Sequence, residues 1–174
     1  ESPEREAVAA TGLQGKILIV DDRPTSAERM HGILRASHTV DVETDPNEAL
    51  FHAAEGNYDL VVVSLGLENF DGLRLCSQIR SLERTRNVAI LAITDAENNT
   101  RLVRGLEIGV NDYLTRPLDP NELMARVRTQ IKRKRYTDYL RTRLEETVEM
   151  AILDPLTALH NRRYMTSHLK TLFE

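Results

Sequence analysis

Five short apolar runs, each followed by a segment with helical spacing, leave this chain very few ways to fold. Lys16-Ile17-Leu18-Ile19-Val20 is the first run. Val40 and Val42 alternate with polar residues, so a second strand is expected near 39–43. Asp59-Leu60-Val61-Val62-Val63-Ser64 is the third, with a strand over 59–63. Val88 to Ile93, ending at Thr94, and Val110 to Leu114 complete the set. Between them, Ala27, Met30, Ile33 and Leu34 share one helical face. Asp45-Pro46-Asn47-Glu48 is a helix start: Asp caps, Pro suits the first helical position, and Glu lies three after the cap. That helix is expected to run to about Gly56, whose missing side chain suits a helix end. Leu73, Cys76 and Ile79 mark a third helix, 96–108 a fourth before Gly109, and Asp119-Pro120-Asn121-Glu122 repeats the helix start for a fifth.

A strand-helix unit repeated five times predicts a parallel sheet with helices on both faces and right-handed crossovers. The fold class is therefore α/β, a flavodoxin-like doubly wound five-stranded sheet with an extended C-terminal helix. In such sheets ligands collect beyond the carboxyl ends of the strands, where Asp21-Asp22, Ser64, Thr94 and Thr115-Arg116-Pro117 fall. The 174 residues allow one domain plus an appendage, and 41% hydrophobic with 29% charged residues fits a globular protein with a real core. A net charge of -4 argues against general nucleic-acid affinity. No apolar run approaches the roughly 20 residues that cross a bilayer, so no membrane span is expected. The single Cys76 excludes an internal disulfide, fits a reducing, cytoplasmic setting, and reads as a core thiol among Leu73, Leu75 and Ile79. His31, His38, His52, His160 and His168 show no ligand spacing, so no metal site is expected from them.

The fifth helix does not stop where a five-helix domain needs it to. Neither Gly nor Pro interrupts the chain between Pro120 and Pro155, enough for about 50 Å of helix. Leu140, Leu144, Val148 and Ile152 lie four apart, close to the spacing of a coiled-coil seam. The stripe fits a dimer stalk or a helix lying on its own domain; its continuation beyond the domain favours the stalk. Lys132-Arg133-Lys134-Arg135 is a basic run, read first as a solvated helix face and otherwise as a nucleic-acid contact.

With these residues in place, the segment 16–135 resembles the response-regulator receiver domain, of CheY-like fold. The resemblance rests on Asp21-Asp22, Asp71-Gly72, Thr94 and Gly109-Val110-Asn111-Asp112-Tyr113-Leu114-Thr115-Arg116-Pro117. It implies phosphoryl transfer to an Asp seven before the Asp-Gly pair, Mg²⁺ held by further carboxylates, a Lys on the phosphoryl group, and a Thr or Ser that reads it. Here Ser64 occupies the acceptor position, and a serine hydroxyl needs a general base before it attacks. Arg116 stands before Pro117 where receivers carry Lys, and the two are not interchangeable. Asp21, Asp22, Ser64, Thr94 and Arg116 are therefore expected to form a degenerate acidic site with no phosphoacceptor, no catalytic residue and no metal. The family also implies a contact surface over roughly 96–135, with Arg101, Arg104, Tyr113 and Arg126 as interface candidates.

A second resemblance lies at the C-terminus. Asp154, Leu156, Thr157, Leu159, Asn161, Arg162 and Arg163 are similar to the opening of a GGDEF diguanylate cyclase domain, with Ala158 for the usual Gly. Arg133-Lys134-Arg135-Tyr136-Thr137-Asp138-Tyr139-Leu140-Arg141 resembles the helix of PleD-type regulators, which run receiver, receiver-like adaptor, then cyclase. The division implied is a linker over 1–15, an adaptor over 16–135, a helical stalk over 136–153 and a cyclase opening over 154–174. The implied function is a phosphorylation-incompetent adaptor that dimerises and couples an upstream receiver to a diguanylate cyclase. The fragment itself would need no cofactor and would not be an enzyme, whereas the parent would use Mg²⁺ and GTP. The implied partners are a second copy of the chain, the upstream receiver and the downstream GGDEF domain. A Mg²⁺- or phosphate-responsive switch is the first alternative, and a DNA-binding regulator acting through the basic helix the second.

Overall fold

A computed structural model describes residues 14–95 and 99–152. The chain divides into two units, Glu1–Lys134 and Arg135–Glu174. In the first, the strands are β1 (Lys16–Val20), β2 (Thr39–Glu43), β3 (Leu60–Ser64), β4 (Ala89–Asp95) and β5 (Asp112–Arg116). The helices between them are α1 (Pro24–Leu34), α2 (Pro46–Gly56), α3 (Gly72–Ser81) and α4 (Asn99–Ile108). A last helix, α5 (Pro120–Ile152), begins in the first unit and supplies the described part of the second. All strand pairs are parallel, in the order β2-β1-β3-β4-β5. This is the doubly wound, CheY-like arrangement that the alternation predicts, and its switch point lies between β1 and β3.

The side-chain alternation of the strands divides the core in two. Ile17, Ile19, Leu60, Val62, Leu91, Ile93 and Leu114 pack against Met30 and Leu34 of α1 and Leu123, Val127 and Ile131 of α5. Leu18, Val20, Val61, Val63, Ile90 and Ala92 meet Ala49 and Ala53 of α2 and Leu75, Cys76 and Ile79 of α3. β3 is buried along its whole length, as a strand covered on both faces must be. Asp45 and Asp119 start helices as expected, and Asp71 caps a third. Asp45 accepts from Asn47 N at 2.9 Å, Asp71 from Leu73 N at 3.0 Å, and Asp119 from Asn121 N at 2.8 Å.

Some boundaries differ from the expected ones. β5 starts at Asp112 rather than 110, because Val110 N still donates to Gly105 O and Gly109, at φ 108, closes α4 in a left-handed turn. The shift carries Thr115 and Arg116 into the strand. β3 starts at Leu60 because Asp59 turns its carboxylate to Lys16 N, 2.9 Å away. α2 does end at Gly56, but Asn57 takes the left-handed conformation at φ 58. The missing side chain of Gly56 instead makes room for the Tyr58 ring, 2.1 Å from where a Cβ would stand.

Cys76 is fully buried, and burial, partly offset by Arg80, pushes its thiol from about 9 up to about 12. The thiolate is the reactive form, so its fraction at neutral pH falls about a thousandfold. A disulfide exchange reagent is expected to modify Cys76 at least about a thousand times more slowly in the native protein than in urea. Above pH 9 the unfolded thiol sheds its proton first, so its contribution to stability declines as pH climbs from 9 toward 12.

Candidate functional site

The carboxyl ends of β1, β3, β4 and β5 meet at one point. Asp21 follows β1 directly and is fully buried; its Oδ1 accepts Arg23 N at 3.0 Å, closing the turn into α1. Ser64, the last residue of β3, is also fully buried, and its hydroxyl donates to Asp21 Oδ2 at 2.8 Å. The β4–β5 register sets Asp95 beside Arg116. From there the guanidinium reaches back across the sheet. Arg116 Nη2 donates to Ser64 Oγ at 3.0 Å and to Asp21 Oδ2 at 3.3 Å, while Nη1 lies 3.5 Å from Asp95 Oδ1. A planar fork with several donors suits this three-way contact; a lysine ammonium would act as a point charge.

Asp22 points elsewhere: its Oδ2 accepts Glu68 N at 2.8 Å, and its Oδ1 is buried without a hydrogen-bond partner among the described residues. Thr94 is buried, and its hydroxyl donates weakly to the Asp95 carbonyl at 3.4 Å. A cleft of about 830 Å³ opens beside the site, lined by Asp22, Arg23 and Arg116 among others. Ser64 has no solvent-exposed surface through which to meet a phosphodonor. Gly72 lies beneath: a Cβ there would stand 2.8 Å from the Ser64 carbonyl oxygen, so the Asp-Gly pair allows α3 to start against the end of β3.

The site therefore joins Asp21, Ser64 and Arg116 directly, with Asp22 and Thr94 alongside. Sequence reasoning missed Asp95 and Arg23 as members. Parallel pairing of the fourth and fifth strands was the available signal for Asp95, since it sets that residue opposite Arg116. The donors do not suit a divalent cation. Ser64 offers a neutral hydroxyl in place of a carboxylate, and the Arg116 cation is already bonded to Asp21.

The interface candidates lie apart from this cluster. Tyr113 is 37% exposed on β5, and Arg104 is exposed on α4. Arg126 binds both oxygens of Asp112, at 3.1 and 3.2 Å, and lies 3.8 Å from Glu122. The side chain of Arg101 and the cyclase-like stretch from Asp154 onward lie outside the described residues. Leu140, Leu144, Val148 and Ile152 are all exposed on α5. Within the basic run, Lys134 lies 3.8 Å from Asp59. No helix among the described residues is long and apolar enough to cross a membrane.

Comparison with known proteins agrees with this geometry. The response regulator receiver domain matches residues 17–128. The response regulator PleD of Caulobacter vibrioides is 51% identical over 95% of this chain, which spans only 36% of that protein. A putative response regulator from Chloroflexus aurantiacus superposes with a TM-score of 0.65 at 32% identity, covering 68% of this chain and 98% of that one. The receiver domain of the sensor histidine kinase PA1611 from Pseudomonas aeruginosa, solved with a magnesium ion coordinated in its active site cleft, gives 0.63 at 28% identity over 68% of this chain and 98% of that one. With the five-stranded sheet, the acidic β1 end and the matching span together, the chain belongs to the response regulator receiver domain family of two-component signalling.

Proposed function

We propose that this domain is a receiver that no longer receives: a phosphorylation-incompetent adaptor that dimerises and couples an upstream receiver to a diguanylate cyclase. The observation that carries it is Ser64. Its hydroxyl is fully buried, donates to Asp21 and accepts from Arg116, so one of its two lone pairs is engaged and no exposed surface leads a phosphodonor to the other. A receiver domain is not itself catalytic, and this one has nothing to regulate by its own phosphorylation. What remains useful is its surface and its helix.

The 51% identity to PleD over 95% of the chain supports the coupling role. So does the cyclase-like Asp154-Pro155-Leu156-Thr157 that follows α5. On this reading residues 1–15 link to a preceding receiver, 16–135 form the adaptor, 136–153 the stalk, and 154–174 open the GGDEF domain. The parent would then join two GTP molecules, with Mg²⁺, into cyclic di-GMP. That reaction needs two active sites facing each other, and a dimer supplies them at high effective concentration. A Mg²⁺- or phosphate-responsive switch is the second reading, favoured by the buried, unpartnered Asp22 Oδ1.

Incubation with acetyl phosphate, followed by intact mass measurement, is expected to leave the chain unmodified. Its mass in solution by light scattering is expected not to change on adding Mg²⁺ and beryllofluoride. A phosphorylated species, or a change of assembly state caused by beryllofluoride, would sink the adaptor reading in favour of the switch.

A further inference from the structure

Resting on the phosphoryl-inert reading above, we infer that Arg116 is an internal counterion that replaces the divalent cation of this site and keeps it metal-independent. Asp21 is fully buried, and a buried carboxylate needs a compensating charge. Arg116 supplies one from the far side of the sheet. One nitrogen bonds Asp21 Oδ2 at 3.3 Å and Ser64 Oγ at 3.0 Å, and the other faces Asp95 Oδ1 at 3.5 Å. Its side chain is only 18% exposed, so the guanidinium lies within the cluster rather than on the surface.

Two consequences follow from the charge. A cation approaching Asp21 would meet the positive guanidinium, and the repulsion is weakly screened at this depth. Mg²⁺ also gives up its water reluctantly and favours sites with at least one free carboxylate. Asp21 is not free, and Asp22 alone, with one oxygen on Glu68 N, retains a single buried oxygen for it. The Ser64 position removes one negative charge from the cluster, while arginine in place of lysine at 116 keeps the positive charge and adds a planar fork that bonds Asp21 and Ser64 together.

The test is cation affinity with and without the arginine. Mn²⁺ broadening of amide resonances near Asp21 and Asp22, and the shift of Tm with Mg²⁺, are measured on the wild-type chain, Arg116→Gln and Arg116→Gln/Asp22→Asn. The wild type is expected to show no site-specific broadening at millimolar Mn²⁺ and the same Tm in Mg²⁺ and in EDTA. Arg116→Gln is expected to bind at least tenfold more tightly and to gain thermal stability with Mg²⁺, and the double variant to lose that gain. Wild-type binding as tight as that of Arg116→Gln overturns the inference. So does an Arg116→Gln variant that folds but stays indifferent to both ions. Should Arg116→Gln fold only when Mg²⁺ is added, the metal has taken over the arginine's role and the inference stands. Should it not fold at all, the wild-type titration decides: site-specific Mn²⁺ binding overturns the inference, and its absence supports it. Acetyl phosphate treatment of the same wild-type sample separates the two readings. Phosphorylation there would overturn the inert adaptor, whereas an unmodified wild type that binds Mn²⁺ would overturn only the counterion.

Discussion

Arg80→Ala is expected to lower the unfolding free energy by about 2–3 kcal/mol, the upper range for hydrogen bonds made by a charged group to neutral acceptors. Arg80 lies in the last turn of α3 and makes several hydrogen bonds away from the acidic site. Its Nε and Nη2 donate to Gly109 O at 3.1 and 2.9 Å, and Nη2 also reaches Asn111 Oδ1 at 2.7 Å. Its Nη1 donates to Arg86 O at 3.0 Å and to the Val88 carbonyl. One guanidinium thus ties the loop before β4 to the turn before β5. Asn111 passes the tie on, since its Oδ1 also accepts Ile90 N at 2.8 Å. Burial pulls the Arg80 pKa down from its ordinary value, a desolvation cost that is set against these bonds. Truncation would strand several acceptors whose replacements must come from water, each at about 1–3 kcal/mol where water cannot reach. Urea unfolding would show a lower midpoint with an unchanged slope. Arg80→Lys is expected to recover less than half of the loss, because an ammonium cannot span acceptors laid out for a planar fork. An unfolding free energy within about 1 kcal/mol of wild type for Arg80→Ala would mean that water replaces the guanidinium at these acceptors and the network adds little net stability.

That network also marks where the sequence stops being legible. The strands, the helix starts at Asp45 and Asp119, and the meeting of Asp21, Ser64 and Arg116 at one end of the sheet follow from periodicity, capping chemistry and parallel topology. Each depends on residues near one another in the chain or on strand ends that a doubly wound fold must align. Arg80 is different. Apart from Asn111 Oδ1, its acceptors are backbone carbonyls 6, 8 and 29 residues away, and no residue type announces those. The start of β5 was misplaced for the same reason. Val110 is apolar and β-branched, and only the bond from its N–H to Gly105 O shows that it still belongs to the end of α4. In the site, the exchange of Lys for Arg at 116 was legible as chemistry. That its guanidinium lies on Asp21 and Ser64, rather than in the neighbouring cleft, was not, because rotamer and partner are decided by burial. Arg126 shows the converse: a candidate for outside contacts whose strongest bonds, to Asp112, lie within its own domain.

Leu144→Glu is expected to convert a dimer of this chain into a monomer over the micromolar range. Leu144 is 67% exposed in the single chain, and Leu140, Val148, Met150 and Ile152 on the same helix are 49%, 51%, 76% and 43% exposed. A helix of this length with so little of this stretch covered is not stabilised by propensity alone; burying a stripe against a second helix is the usual source of stability. Steps of four residues advance the stripe about 40° around the helix each time, because a turn takes 3.6 residues. A partner must therefore wrap with it, or use Thr147 and Ala151 as the alternating positions. Either way Leu144 sits in the middle of the stripe. Burying one leucine stabilises by about 1.5–3 kcal/mol, and a symmetric dimer buries it twice, so losing both weakens association by about 3–6 kcal/mol. At about 1.4 kcal/mol per factor of ten, that is roughly a hundredfold to ten-thousandfold in Kd. The glutamate adds repulsion between the copies, while the folded domain, whose core α5 joins through Leu123, Val127 and Ile131, keeps its Tm to within a few degrees. Sedimentation equilibrium of wild type and variant would read the change directly. A wild-type dimer that Leu144→Glu leaves intact would move the interface off this stripe and onto the receiver-like domain. A wild type that is already monomeric would make assembly depend on segments beyond this chain, and the stripe would then need those segments to bring two copies together.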